Sequence, residues 1–93
     1  MNPVTPNFTY VYVLQSEKND QFYTGCTGNL RNRLAEHASG ESNYTRSRGP
    51  YNLIYYEACL DSNDTFTREK YLKIGMGKKY INNRLKRFLG VTG

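Results

Sequence analysis

Three segments of the chain are rich in β-branched and aromatic residues and predict β-strands. The first is Thr9–Val13, the second is Phe22–Thr27 and the third is Asn52–Ala58. The polar stretch Ser16–Gln21 separates the first two. Because a short polar link most simply joins neighbouring antiparallel strands, these two are predicted to form a hairpin.

A helix is predicted between the second and third strands, over about Leu30–Ala38. Asn29 is a suitable N-cap for this helix, and Gly40 is a natural stop signal. Apolar residues recur every four positions and form the apolar stripe of the helix. They are Leu30, Leu34 and Ala38.

The C-terminal third of the chain predicts two further helices. One begins at a cap within residues 62–64 and runs to Ile74. The glycines of Gly75–Gly77 predict a break, and a last helix follows over about Lys78–Leu89, with Gly90 as its stop. This last helix has the clearest helical period in the chain, with apolar residues at Ile81, Leu85, Phe88 and Leu89.

The order of these elements, β-β-α-β-α-α, predicts one domain of the α/β (α+β) class. The expected architecture is a small three-stranded, mainly antiparallel sheet flanked by helices. Residues 1–8 are expected to be a flexible lead-in, because two of the three prolines lie there, and residues 9–90 are expected to form the domain. A chain of 93 residues is long enough for one modest core.

Composition adds a basic character to this domain. Thirteen lysine and arginine residues stand against eight aspartate and glutamate residues, for a net charge of +5. A positive excess suits a polyanionic partner such as nucleic acid, although many small basic proteins bind nothing anionic. Nine tyrosines are present. Because tyrosine packs its ring and keeps its hydroxyl available, such a chain can line a polar cleft.

The cysteines and the N-terminal residues bear on the cellular location. Cys26 and Cys59 lack the spacing of a zinc site, and there is a single histidine. The first residues lack the basic region of a signal peptide, and no apolar run approaches the length of a membrane span. We therefore expect a cytoplasmic protein with reduced thiols and no membrane partner.

Four polar side chains near the first helix are candidates for chemistry. Arg33 and His37 are four residues apart and share one helical face, where a guanidinium suits a phosphate. A solvated basic face is the simpler alternative. Tyr12 and Tyr23 lie in the two hairpin strands, and core packing is the simpler alternative for each.

Glu69 is a candidate on the second helix. Phe66 and Leu72 lie three residues before and after it, so the carboxylate is bracketed by apolar residues on one face. The simpler alternative is a surface charge in an ion pair with Lys70 or Lys73.

Basic residues interleaved with polar residues and tyrosine suit a sugar-phosphate backbone. They lie in the loop before the third strand and in the last helix, where the wet side of an amphipathic helix is the alternative. The candidates for nucleic-acid binding are Arg46, Arg48, Lys78, Lys79 and Arg84.

Taken together, these residues resemble the GIY-YIG nuclease family, from Tyr10 to about Leu89. Tyr10-Val11-Tyr12 corresponds to the first motif and Tyr23-Thr24-Gly25 to the second, so both motifs are degenerate. Members of the family also have an arginine, a histidine one turn later, a glutamate on a later helix and an asparagine in the last element. Those positions are Arg33, His37, Glu69 and Asn83.

The chain particularly resembles single-domain members of the family that are similar to the N-terminal nuclease domain of a DNA-repair excinuclease, which associates it with DNA repair. Segments GPYNLIYYEA and REKYLKIG carry this likeness. Some DNA-repair members have a lysine just after the second motif. Here that position is Cys26, so no such role is carried over.

The resemblance implies an endonuclease that hydrolyses DNA at a single divalent metal, Mg²⁺ or Mn²⁺, bound by Glu69. It implies that Arg33 neutralises charge on the phosphate and that Asn83 orients a tyrosine or a phosphate. Tyr12, Tyr23 and His37 remain alternatives for the general base, since tyrosine has a reference pKa of about 10 and histidine one of about 6.5.

Two other functions stay open at this point. One is a nucleic-acid-binding module of the same fold without cleavage, and the other is a structural or protein-interaction domain. The form of the DNA also stays open, whether branched, nicked or flapped, as do RNA, a homodimer and a partner protein.

Overall fold

The computed structural model describes residues 7–40 and 48–90. The elements follow the predicted order, and the predicted fold class is confirmed. The strands are β1 (Thr9–Ser16), β2 (Phe22–Thr27) and β3 (Tyr51–Cys59). The helices are α1 (Leu30–Ala38), α2 (Ser62–Lys73), α3 (Gly75–Arg84) and a short α4 (Lys86–Leu89). In the described part of the chain, no helix has the length and apolar character needed to cross a membrane.

The three strands form one antiparallel sheet in the order β2-β1-β3. β1 is therefore the central strand and β2 is an edge. Tyr12 of β1 pairs with Gly25 of β2 and Tyr56 of β3, whereas Val11 pairs with Cys26. Because side chains alternate between the two faces of a strand, Tyr12 and Cys26 point to opposite faces of the sheet.

The main core lies on the face that α2 and α3 cover. Val11 and Val13 of β1 are fully buried there against Leu72 of α2 and Ile81 of α3. The other face of β1 buries Tyr12 and is crossed by α1, which has no fully buried residue of its own. The α1 face of the sheet thus carries Tyr12 beneath a helix that is itself only partly buried.

Local signals set the ends of α1 as predicted. The side chain of Asn29 accepts a hydrogen bond from the backbone N–H of Asn32 and caps the helix. Gly40 has φ 79°, in the left-handed region that glycine adopts without steric cost. The apolar stripe is less buried than expected, since Leu30 and Leu34 are half-buried and Ala38 is exposed.

The start of α2 corrects a prediction by one residue. Asp61, rather than a residue within 62–64, is the N-cap, and its carboxylate accepts from the backbone N–H of Asn63. β2 has the predicted bounds, and β3 is one residue longer at each end than predicted. β1 continues past its predicted end at Val13 to Ser16, so the predicted turn begins one residue later. Of the loop predicted before β3, residues 41–47 lie outside the described ranges, as do residues 1–6 of the predicted lead-in.

The C-terminal helix prediction was wrong in two respects. The break between the two helices falls at Ile74, whose ψ is 171°, and Gly75–Gly77 instead form the first turn of α3, where Gly77 packs against the backbone of α2 at Tyr71 and Leu72. The helix then ends at Arg84, and Phe88 in α4 is 67% exposed. The apolar period of the last helix therefore does not describe one continuous buried face.

Candidate active site

Tyr12 is the centre of the candidate site. Its side chain is 1% exposed and lies across β2 over Gly25. A Cβ atom at Gly25 would lie 2.5 Å from the Tyr12 hydroxyl oxygen, so the phenol keeps this position only because residue 25 has no side chain. The phenol therefore reaches from the central strand to the edge of the sheet.

Helix α1 brings a guanidinium and an imidazole to the Tyr12 hydroxyl. Arg33 Nε donates a hydrogen bond to Tyr12 Oη at 3.3 Å, and His37 Nε2 lies 3.0 Å from the same oxygen. The two helix residues are four positions apart, so one face of α1 presents both. The structure thus brings together three of the predicted residues at a single oxygen atom.

Burial and charge set the protonation of this cluster. Burial raises the pKa of Tyr12, although the hydrogen bond from Arg33 opposes the rise. Burial and then the charge of Arg33 lower the pKa of His37, and Glu36 opposes this effect. The pKa of Arg33 is raised by its hydrogen bonds to Tyr12 and Glu36. At neutral pH the tyrosine is therefore protonated, the imidazole neutral and the guanidinium charged.

Tyr23 forms an aromatic wall beside the cluster. Its ring centroid lies 5.3 Å from that of His37, 6.4 Å from that of Tyr12 and 6.3 Å from that of Tyr51. The contacts with His37 and Tyr51 are edge-to-face, the arrangement that aromatic pairs favour. Tyr23 is half-buried and belongs to the same face of the sheet as Tyr12.

Glu36 is a member of the site that the sequence analysis missed. Its Oε2 lies 2.6 Å from an Nη atom of Arg33, in an ion pair between residues three positions apart on α1. This pair orients the guanidinium while Nε stays bonded to Tyr12. The spacing of Arg33 and Glu36 on a predicted helix was the available signal.

Glu69 lies on the other face of the sheet. It belongs to α2, and its carboxylate neighbours the thiol of Cys26 in β2, which faces away from Tyr12. Burial raises the pKa of Cys26, and the charge of Glu69 adds to the rise. Lys73 Nζ lies 3.4 Å from Glu69 Oε2. The Tyr12 cluster and the Glu69 carboxylate thus lie on opposite faces of the edge strand β2.

The donor set at Glu69 suits one kind of metal. Within residues 7–40 and 48–90, no group of three or more histidine, cysteine, aspartate or glutamate side chains could hold an ion. Mg²⁺ keeps several waters and is often bound through one or two carboxylates together with substrate phosphates. The side chain of Glu69 is 19% exposed and is therefore not fully buried. A single partly exposed carboxylate fits Mg²⁺ or Mn²⁺, and it does not fit a closed zinc site.

The remaining predicted residues that the structure describes lie away from this cluster. Asn83 is exposed on α3 and lines an open cavity of about 500 Å³ with Tyr71 and Tyr80, among others. Among the described residues, it makes no hydrogen bond to Tyr12 or Arg33. Lys78, Lys79 and Arg84 are exposed on α3, Arg48 is exposed before β3, and Arg46 lies outside the described residues.

Comparisons with known proteins identify the family of the chain. The family model described as the GIY-YIG catalytic domain matches residues 8–82, which ends one residue before Asn83. A UPF0213 protein of Clostridium perfringens is 42% identical over 65 residues, which cover 69% of each chain. The UPF0213 protein in the ldhD 5' region of Pediococcus acidilactici is 37% identical over 89 residues, 89% of this chain and 90% of that protein. No solved structure matches the chain.

Proposed function

The chain belongs to the GIY-YIG nuclease family, and we propose that it is an endonuclease that hydrolyses phosphodiester bonds in DNA with Mg²⁺ or Mn²⁺. The observation that carries this proposal is the shared Tyr12 hydroxyl, bound by Arg33 on one side and His37 on the other. Packing alone does not require a buried phenol to meet an arginine and a neutral imidazole at one oxygen. A proton acceptor beside a fixed cationic donor suits the activation of a water next to a phosphate.

Tyr12 and His37 form a relay for the proton of the attacking water. The neutral imidazole accepts the Tyr12 hydroxyl proton at Nε2, while Arg33 Nε donates to the same oxygen. As the water attacks phosphorus, its proton passes to Tyr12 Oη and the tyrosine proton passes to His37. The ester P–O bond breaks, and the leaving oxygen takes up a proton from solvent. Tyr23, on the same face, positions the water.

Arg33 stabilises the negative charge that builds on the phosphate oxygens. A guanidinium has five N–H donors. In the described contacts, Nε serves Tyr12 and one Nη serves Glu36, which leaves further donors for a phosphate. Donors held in place before the reaction stabilise a transition state without a cost of reorganisation.

Glu69 is the residue that would hold the metal ion. When bound, such an ion polarises the phosphate and stabilises the leaving oxygen. The carboxylate lies on the opposite side of β2 from Tyr12. A phosphate at the free edge of β2 would therefore be approached from both faces of the sheet.

The basic residues outside the cluster hold the rest of the DNA. Arg48 and three exposed side chains of α3 supply positive charge for phosphate contacts, and the loop residue Arg46 is proposed to do the same. Such contacts make binding weaken as salt is raised. The α3 residues are Lys78, Lys79 and Arg84.

The test is a panel of labelled single-stranded, duplex, nicked, flapped and branched DNA, with RNA of the same sequence, incubated with Mg²⁺ or Mn²⁺. We expect metal-dependent cleavage by the wild type that is lost in Glu69→Gln. Glu17→Gln is the matched control, because Glu17 is exposed and contacts Asn52. Salt-sensitive binding without cleavage under either metal would indicate a nucleic-acid-binding module instead. Absence of binding at low salt would contradict both functions.

A further inference from the structure

Lys73 occupies a defined place at the Glu69 carboxylate. It is the last residue of α2, one turn after Glu69, and its Nζ lies 3.4 Å from Glu69 Oε2. The Lys73 side chain is 54% exposed, whereas that of Glu69 is 19% exposed. The ammonium group is therefore the more exposed partner of this ion pair.

The position of Cys26 shows on which face of the sheet this ion pair lies. Its thiol comes from the edge strand β2 and neighbours Glu69, and the Lys73 charge also acts on it. Because Cys26 and Gly25 are adjacent in β2, the Lys73 ammonium and the Tyr12 phenol lie on opposite sides of the same short stretch of strand. Lys73 is thus on the α2 side of the sheet, as Arg33 is on the α1 side.

Lys70 offers a natural comparison for Lys73. It directly follows Glu69 in α2 and is also exposed. Residues one apart on a helix point about 100° away from each other, so Lys70 does not face the carboxylate. In the described part of the chain it forms no ion pair, and the pairing is particular to Lys73.

The Lys73–Glu69 pair is easily broken. An ion pair this exposed contributes about 0–1 kcal/mol. A divalent cation on the carboxylate would repel the ammonium and displace it. The lysine stem is flexible, and its ammonium is a compact charge that binds phosphate. Because Lys73 Nζ stands 3.4 Å from Glu69 Oε2, the displaced ammonium would be within reach of a phosphate held at that carboxylate's metal ion.

We propose that Lys73 binds the phosphate under attack from the α2 side of the sheet, and that in the free protein its pairing with Glu69 weakens binding of the metal. This inference rests on the proposed endonuclease function. It assigns opposite effects to one side chain, since Lys73 hinders metal binding and assists cleavage. A residue that only stabilised the fold would not act in both ways.

The experiment compares Lys73→Met, which keeps most of the apolar stem, with Lys70→Met as the matched control. Binding of Mn²⁺ is measured without DNA by the electron paramagnetic resonance signal of the free ion. Cleavage is measured with the oligonucleotides of the panel, with kcat and KM separated. A third variant, Cys26→Lys combined with Lys73→Met, places an ammonium on β2 beside Glu69.

We expect Lys73→Met to bind Mn²⁺ about two- to fivefold more tightly than the wild type. The same variant should cleave DNA at about one tenth of the wild-type rate or at a lower rate. Lys70→Met should match the wild type in both measurements, and the combined Cys26→Lys, Lys73→Met variant should recover part of the cleavage that Lys73→Met loses. Equal Mn²⁺ affinity in Lys73→Met and the wild type, or equal cleavage by the two methionine variants, would overturn the proposal. If the wild type binds Mn²⁺ without cleaving, the endonuclease is contradicted, yet tighter Mn²⁺ binding by Lys73→Met still supports the pairing.

Discussion

Arg33 Nε donates a hydrogen bond to the hydroxyl oxygen of Tyr12 at 3.3 Å, linking α1 to the central strand of the sheet. α1 has no fully buried residue, so few packing contacts hold it. Its position over the sheet depends on polar contacts, among which those of Arg33 and His37 with Tyr12 are central. The contacts proposed for catalysis are therefore also the ones that hold this helix.

Tyr12→Phe tests the hydroxyl without removing the ring. The ring stays packed, but the relay partner of His37 and the acceptor of Arg33 are lost. Cleavage should fall by at least about a hundredfold, the scale of a lost general acid–base group, while DNA binding is kept. Tyr56→Phe is the control, because Tyr56 pairs with Tyr12 on the neighbouring strand and is 54% exposed. Equal rates for the two variants would exclude a role for the Tyr12 hydroxyl.

Gly25→Ala tests the close approach of Tyr12 to β2. The added methyl group would lie 2.5 Å from Tyr12 Oη and must displace the phenol. We expect a loss of about 1–3 kcal/mol in the free energy of unfolding and loss of cleavage. Gly28→Ala serves as the control, because nothing lies within 4 Å of a Cβ atom there. Chemical denaturation of both variants measures the difference, and similar stabilities would refute this geometry.

The pKa of His37 can be read directly, because His37 is the single histidine of the chain. Burial and the charge of Arg33 lower it, so we expect a value below about 6.5 in an NMR titration of the imidazole. The folded protein then favours the neutral ring, and this group makes the fold less stable as the pH falls below about 6.5. Cleavage should rise with pH as the ring becomes neutral. A pKa above the ordinary value would contradict the relay.

Gly77→Ala tests why the C-terminal helices differ from the predicted ones. A Cβ atom there would collide with backbone atoms of Tyr71 and Leu72. We expect a loss of about 3 kcal/mol in the free energy of unfolding. Gly75→Ala, in the same helical turn, has open space around its Cβ and should be neutral or gain about 0.5 kcal/mol. The thermal unfolding midpoints of the two variants decide between these outcomes.

The sequence predicted elements where the signal was local. Asn29 and Gly40 mark the ends of α1 by side-chain capping and backbone conformation, and α1 begins and ends at the predicted residues. The helix break falls at Ile74 rather than within Gly75–Gly77, because Gly77 packs closely against the backbone of the preceding helix, and the residue pattern did not reveal that contact. The apolar period over the last helix likewise could not reveal that the helix stops at Arg84.

The candidate site also combines features that the local sequence predicts with features that depend on contacts between separate elements. Arg33 and His37 share a helical face, so their proximity followed from spacing. The position of Glu69 on the opposite face from Tyr12 depends on strand register and on the packing of α2. Strand register and helix packing are not encoded within a few neighbouring residues. The contact between Glu69 and Cys26 therefore could not be predicted.

The central claim is that the Tyr12 side and the Glu69 side of β2 serve one reaction. The most direct test is a double-mutant cycle on the single-turnover rate of metal-dependent DNA cleavage, using Arg33→Ala, Glu69→Gln and the combined variant. Groups that act on one phosphate are not additive, so each single change should remove most of the rate and the combination should lose little more. Cleavage at the wild-type rate by either single variant, or two independent losses that multiply in the combination, would contradict the account.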